Sequence, residues 1–483
     1  MKRILSMLLA LMLLCGCASP SKSESSEMTA AVTGTEAPET ESVPPKTETV
    51  GLDALTDDTI LLYREGDFKA RQGTLVPLET ALSAPEEALL PRTHFYDELF
   101  PGDADLWLQL LDYTLGQGFL GFSVPKGTLP ELSTKQRRLL GYIYRIDGGK
   151  VLAKNEGDVT TGWYECRADR TDTMEKFAIG LAAARELAAQ APLGDDWETA
   201  LWIMNALADR IIYGDRDTYY MYRGNMLYDA MTDGDTVCAG YSAGMYYLCS
   251  LCGVECLEVT GLSKSLDVAG GLDDHVWLFV EIYGKWYCFD PTWFDGQTSG
   301  RAPFFCGMSE ELLNMVSGHR RTGEYTDDSI LPTCDTCFDA AAAWNSSPEG
   351  ALKTWLLYAS FAAVEPSYLL MYAGLMTPDT EITVSDDRTQ AVVDTPYADY
   401  AAWAARFMGG DTLGPIRFTE SEDGKLVLRR VSGSETDWTM LEIRSVTPEA
   451  DGSYTADLGG VTATFTVSQT EEGLYRIETI VHS

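Results

Sequence analysis

The sequence predicts an α+β protein: a helix packed on an antiparallel sheet, with a leading helical region and a C-terminal α+β domain. Three segments predict the core. Thr236-Val237-Cys238-Ala239-Gly240-Tyr241-Ser242 opens a helical pattern, with Tyr241, Met245, Leu248 and Cys252 on one stripe. Asp274-His275-Val276-Trp277 leads into Val276 to Ile282, apolar on both faces and so a central strand. Gly284-Lys285 marks a turn, and Trp286 to Asp290 returns as the next strand before Pro291-Thr292-Trp293.

In chain order these segments supply a thiol, an imidazole and a carboxylate, the groups of a nucleophile, its base and the base's orienter. Cys238 falls in the first turn of its helix, with Asp235 or Thr236 as the expected N-cap. Unpaired N–H groups and the positive end of the helix dipole there favour a thiolate and leave the Cys238 N–H free to hold an oxyanion. Gly240 and Gly244 each cost a helix about 1 kcal/mol relative to Ala, which points to close packing against the strands. Each residue also has a plainer reading: a buried thiol, a strand-end His, an Asp opening a Pro-Thr turn. The hairpin register stays open. A two-residue loop at Gly284-Lys285 pairs Asp290 with Phe279 and leaves His275 four residues away, about 13 Å. A four-residue loop at Glu281 to Gly284 sets His275 opposite Asp290. The other three histidines, His94, His319 and His482, lie outside any motif.

The segment from Gly234 to Asp295 resembles the transglutaminase-like branch of the papain-like cysteine protease superfamily, in its Cys-x-Gly-Tyr helix start, His-x-Trp strand and Asp-x-Thr-Trp strand end. Where that family commonly has Ala-Trp-Asn after the His, this chain has Val276-Trp277-Leu278. The resemblance implies a papain-like fold with Cys238 as nucleophile, His275 as base and acid, and Asp290 as orienter. It implies Trp277 and Trp293 walling the cleft, and Tyr213 as a packed residue ahead of the nucleophile. It also implies thioester-mediated acyl transfer on peptide amides. Water as acceptor makes a cysteine peptidase or amidase; a lysine amine makes a crosslinking transglutaminase. Hydrolysis is expected, since nothing resembles the calcium sites of the animal crosslinking enzymes. The rival from another class is a catalytically silent surface-binding module. No cofactor and no metal are expected. Cys249-x-x-Cys252 and Cys334-x-x-Cys337 are too far apart in sequence for a compact zinc module.

At 483 residues the chain has room for two or three domains. Its formal charge of −37, from 36 basic and 73 acidic residues, repels nucleic acid and anionic headgroups, so no nucleic-acid partner is expected. Lys2 and Arg3 precede an apolar run, Ile4 to Leu14, too short to span a bilayer. Leu14-Cys15-Gly16-Cys17 resembles a bacterial lipoprotein signal box, which implies a signal peptide over 1–17 and lipidation at Cys17. Residues 18–50, rich in Ser, Thr, Glu and Pro, read as a disordered tether. The expected location is the extracellular face of the cell membrane, held by the lipid, with a peptide or protein substrate at the cell surface or wall. Of 11 cysteines, eight remain after Cys15, Cys17 and Cys238; they permit disulfides or serve as small core residues.

Residues 51–195 read as a leading, mostly helical region, with helices at Asp105 to Gly116, Ser133 to Tyr144 and Thr171 to Ala191 and one candidate strand at Tyr164 to Ala168. Residues 196–340 are the catalytic core, entered by a helix carrying Trp202, Met204, Leu207 and Ile211 or Ile212. Residues 341–483 form an α+β domain of unknown role. Its helices are Gly350 to Ala363 and Tyr397 to Phe407, its hairpin turns at Asp423-Gly424, and Val461, Ala463, Phe465 and Val467 face a core.

Overall fold

The computed structural model describes residues 49–64, 67–84, 105–134, 136–137, 140, 146, 150–165, 172–214, 227–264, 271–297, 305–322, 331–431 and 441–482. The signal segment, Cys17, His94 and nearly all of the expected 18–50 tether lie outside these residues, as does most of the helix expected at Ser133 to Tyr144. Among the described residues no helix is long and apolar enough to cross a membrane. The molecule is a mixed α+β structure with antiparallel sheets.

The leading region differs from the mostly helical expectation. Six strands, β1 (Thr49–Gly51), β2 (Thr59–Tyr63), β3 (Gln72–Pro77), β4 (Gly121–Pro125), β5 (Lys150–Glu156) and β6 (Val159–Glu165), form one sheet in the order β1-β3-β2-β4-β6-β5. Thr49 and Val50 pair with Thr74 and Gly73, so the folded chain begins before residue 51. Ile60, Leu61, Leu62 and Tyr63 are all buried, and so continuous an apolar run carries no period to separate strand from helix. The expected helices α1 (Asp105–Gly116) and α2 (Thr173–Ala188) are present.

The central part is built around one buried helix. α3 (Asp196–Arg210) precedes two short parallel strands, β7 (Ile212–Tyr213) and β8 (Asp235–Thr236), and β8 leads into α4 (Cys238–Cys252). Tyr241, Met245, Tyr246, Tyr247 and Leu248 of α4 are all buried, the pattern of a helix covered on every side. Phe177 of α2 meets Tyr247 edge-on at 5.4 Å. Gly244 faces α3 rather than the expected strands: a Cβ there would lie 2.8 Å from Leu207 Cδ2. On α3, Trp197, Ile203, Met204 and Leu207 are buried and Trp202 is half-buried; beyond it Ile211 is buried and Ile212, on β7, is 77% exposed.

The sheet against α4 has the order β11-β10-β9-β12, from β9 (Cys256–Lys264), β10 (Leu272–Ile282), β11 (Lys285–Phe289) and β12 (Arg320–Arg321). β10 is central, as its two apolar faces require. The hairpin turns at Tyr283-Gly284, both with positive φ (51° and 78°), a pattern that matches the twist of the flanking strands. Ile282 pairs with Lys285 and Leu278 with Phe289. This register lies between the two alternatives left open by the sequence. Continued one step, it sets Asp290 level with Trp277, diagonal to His275 on the same face.

α5 (Pro291–Gln297) and α6 (Glu310–Ser317) close the core, and beyond residue 340 α7 (Pro348–Val364), α8 (Pro366–Tyr372) and α9 (Tyr397–Ala404) follow. A five-stranded and a four-stranded antiparallel sheet complete this end. The hairpin about Asp423-Gly424 is present, with Phe418 opposite Leu428. In Thr462–Gln469, Ala463 and Phe465 are buried, but Val461 and Val467 are only half-buried, the latter beside an irregularity at Thr466/Val467. Trp197 stacks on Phe338 at 3.8 Å, joining α3 to the chain that leads into this end.

Candidate active site

Cys238 is the first residue of α4 and 9% exposed. Its N-cap is Val237, whose side chain makes no capping bond, not Asp235 or Thr236. Those two are extended in β8, and Thr236 instead packs under the helix, where a Cβ on Gly240 would meet its Oγ1 at 2.0 Å. The N-cap side chain therefore offers no bond to the first N–H groups of α4, among them that of Cys238. Tyr241 donates its hydroxyl to the Asp295 carboxylate on α5, which ties α4 to the segment carrying Asp290. Tyr213 lies over Tyr241 at 6.3 Å, a packing role.

The structure brings Cys238, His275 and Asp290 together. His275 Nε2 is 2.8 Å from Asp290 Oδ2, and Cys238 lies close enough to the His275 side chain to raise its proton affinity. With Nε2 turned to the carboxylate, Nδ1 is the atom left for the thiol. Asp290 is wholly buried and uses both oxygens. Oδ1 accepts from the N–H groups of Thr292 (2.9 Å) and Trp293 (3.0 Å), capping α5 with Pro291 in its first turn. The plainer reading of Asp290, a turn-opening cap, is met by Oδ1, while Oδ2 faces the imidazole of His275.

Sequence reasoning missed His319. Its Nε2 lies 2.7 Å from the same Asp290 Oδ2, and its Nδ1 lies 2.6 Å from Ser317 Oγ. It follows the Gly318 cap of α6, a place with no periodicity to mark it; the rarity of His, four in the chain, was the one available signal. Trp277 is 1% exposed and so forms the floor under both imidazoles rather than a cleft wall. Its ring meets His319 edge-on at 5.1 Å and lies nearly parallel to His275 at 6.4 Å. Trp293 is half-buried and packs on Phe305 and His319.

The charges follow from this geometry. Burial opposes ionisation of Asp290, but His275 and His319 hold it well below the usual carboxylate range. Burial likewise lowers His275, yet Asp290 and Cys238 outweigh it and push the ring up to about 10. Burial dominates at His319 and brings it below the ordinary imidazole value despite Asp290. At neutral pH this is an imidazolium at His275 and a neutral ring at His319, sharing one carboxylate oxygen. The donor atoms of His275, Asp290 and His319 lie within 4.8 Å of one another, a set able to hold a metal ion if both ring protons were displaced. Cys249 is a neighbour of Cys256 and Cys334 a neighbour of Cys288, and no disulfide joins the eight described cysteines.

No family model matches the chain. It is 34% identical over 73 residues to the Kyphoscoliosis peptidase of Homo sapiens and 33% identical over 73 residues to that of Mus musculus. Each match takes in 14% of this chain and 11% of the relative, so the chain spans about a tenth of those proteins' length. In the crystal structure of a TGase, 54% of that chain aligns with 42% of this one at 16% identity and a TM-score of 0.22.

Proposed function

We propose that this protein carries out thioester-mediated acyl transfer on peptide amides, with water as the acceptor. The observation that carries the reading is the meeting of a helix-start thiol, an imidazole and a buried carboxylate at Cys238, His275 and Asp290. The Cys238 thiolate attacks the amide carbonyl, and the oxyanion falls near the first N–H groups of α4. The C–N bond breaks as His275 gives its proton to the leaving amine. Neutral His275 then takes a proton from water, whose oxygen attacks the thioester. The C–S bond breaks, the acid leaves, and the thiolate–imidazolium pair is restored. The partial similarity to a peptidase agrees with hydrolysis.

Labelling with iodoacetamide followed by peptide mapping tests this. Cys238 should react faster than the other seven described cysteines at about pH 6, where ordinary thiols are sluggish, and His275→Ala should remove that lead. Equal labelling of Cys238 and its buried neighbours would leave the silent surface-binding module as the reading. Incubation with a peptide pool should yield new chain ends; lysine conjugates instead would assign the crosslinking transglutaminase activity. The membrane-anchored surface location rests on Leu14-Cys15-Gly16-Cys17. Cys17→Ala should move the protein from the membrane fraction to the medium, or leave its signal uncut. An unmodified N-terminus beginning after Cys17 would overturn the anchor.

A further inference from the structure

Both oxygens of Asp290 would have partners without His319. A carboxylate accepts about four hydrogen bonds, and Thr292, Trp293 and His275 already supply three. The fold nonetheless brings a fourth donor from a distant segment. The end of α6 supplies Ser317, whose Oγ sits 2.6 Å from His319 Nδ1 and 2.9 Å from the Leu313 carbonyl. Strand β9 supplies a gap: a Cβ on Gly261 would lie 2.8 Å from the Trp277 ring and 2.1 Å from the Arg320 carbonyl oxygen. Any larger residue would push apart Trp277 and the chain beside His319. The His319 ring is 1% exposed and meets Trp277 at 5.1 Å and His275 at 4.9 Å. With Nε2–H aimed at the carboxylate, neutral His319 presents a bare Nδ1, which the Ser317 hydroxyl fills when its one hydrogen turns from the Leu313 carbonyl to the ring.

We propose that His319 is a positioning residue for His275: by donating Nε2–H to Asp290 Oδ2, the oxygen that holds His275 Nε2–H, it weakens the carboxylate's support of the His275 cation and so keeps the other ring proton, on Nδ1 facing Cys238, transferable to a leaving amine. The inference rests on the acyl-transfer reading of the same site. An imidazolium alone on an unshared buried carboxylate is a poor general acid, because a group works best when its proton affinity lies near the working pH. A second donor on one oxygen spreads the carboxylate charge over two rings. The other groups facing this cluster are few. Cys238 meets His275 from α4, Cys306 lies near Asp290, and Lys264 at the end of β9 disfavours charge on His319.

Iodoacetate tests the proposal without a known substrate. This anionic reagent is drawn by the His275 cation, so its rate at Cys238 should fall on the alkaline side as His275 loses its proton. In His319→Phe the ring packing stays and the donor goes, and the falling limb should move up by roughly half a pH unit to one unit, the worth of one hydrogen bond. In His319→Gln the side-chain amide can donate in place of Nε2, and the limb should return to the wild-type position. Ser317→Ala keeps the ring but loosens it, and should move the limb in the same direction by less. This variant decides the matter if His319→Phe does not fold. An unchanged limb in folded His319→Phe, or equal shifts in the Phe and Gln variants, would overturn the proposal. A wild type with no falling limb, and no loss of rate in His275→Ala, would instead overturn the acyl-transfer reading.

Discussion

Asp290 joins local structure to chemistry in a single side chain. One oxygen caps α5, and the other takes two imidazoles. Asp290→Asn separates these roles. An amide offers one acceptor and two donors, so keeping the cap turns its NH₂ toward two ring N–H groups. The variant should fold less stably, and His275 should lose its cation near neutral pH. Labelling of Cys238 at about pH 6 should fall by at least roughly tenfold, the effect of one pKa unit, while thermal melting shows a retained cooperative transition. Wild-type labelling in this variant would mean that Cys238 draws its reactivity from the helix start alone. At this scale the sequence was informative where residues sat in patterned segments. Cys238 heads α4, His275 lies within β10, and Asp290 follows β11, all elements whose period can be read. His319 follows a glycine cap in an irregular stretch, and only the folded chain brings it 29 positions back to Asp290.

Among the elements, α4 is the one whose composition looks wrong for its state. Two glycines lower its helix propensity, and the structure gives each a separate reason. At Gly240 a methyl would lie 2.0 Å from Thr236 Oγ1 and 2.7 Å from its Cβ, and Thr236 is held by the β7–β8 pairing. At Gly244 the nearest atoms are the ends of Leu207 and Met231, which can move. Gly240→Ala should therefore lose about 1–3 kcal/mol in urea unfolding despite the better propensity of Ala, and should slow Cys238 labelling by shifting the helix start. Gly244→Ala should fall within about 1 kcal/mol of wild type. Equal effects at both sites would mean that propensity, not the Thr236 contact, governs this helix. The hairpin shows a similar limit of sequence reasoning. A Gly after any residue suits several loops, and the positive φ of Tyr283 that fixed the register has no signature in the residue itself.

The whole molecule carries a formal charge of −37, and its stability against pH combines that surface with one buried ion cluster. The leading sheet was hidden from sequence for the reason that it is well buried: Ile60 to Tyr63 and Phe122 show no alternation to read. The pH dependence, by contrast, follows from named groups. His275 is raised to about 10 in the folded state against an ordinary value of about 6.5, so its contribution to stability is complete below 6.5 and is lost as pH rises through 10. Asp290 is depressed, so its share is present above its ordinary value and fades in strong acid; this is the same ion pair seen from its other partner, and the two are not added. His319 is depressed and acts with the opposite sign to His275, its share fading as pH falls below about 6.5. Wild-type protein should thus lose on the order of 2–4 kcal/mol between about pH 6.5 and 10. Surface repulsion also weakens the fold toward alkaline pH, but exposed charges are screened by salt and a buried pair is not. In 1 M salt, urea unfolding of the wild type should still show the alkaline loss, and His275→Gln should show a nearly flat profile over the same window. An alkaline loss that vanishes in salt for both proteins would assign it to the acidic surface and remove the buried pair as a source of stability.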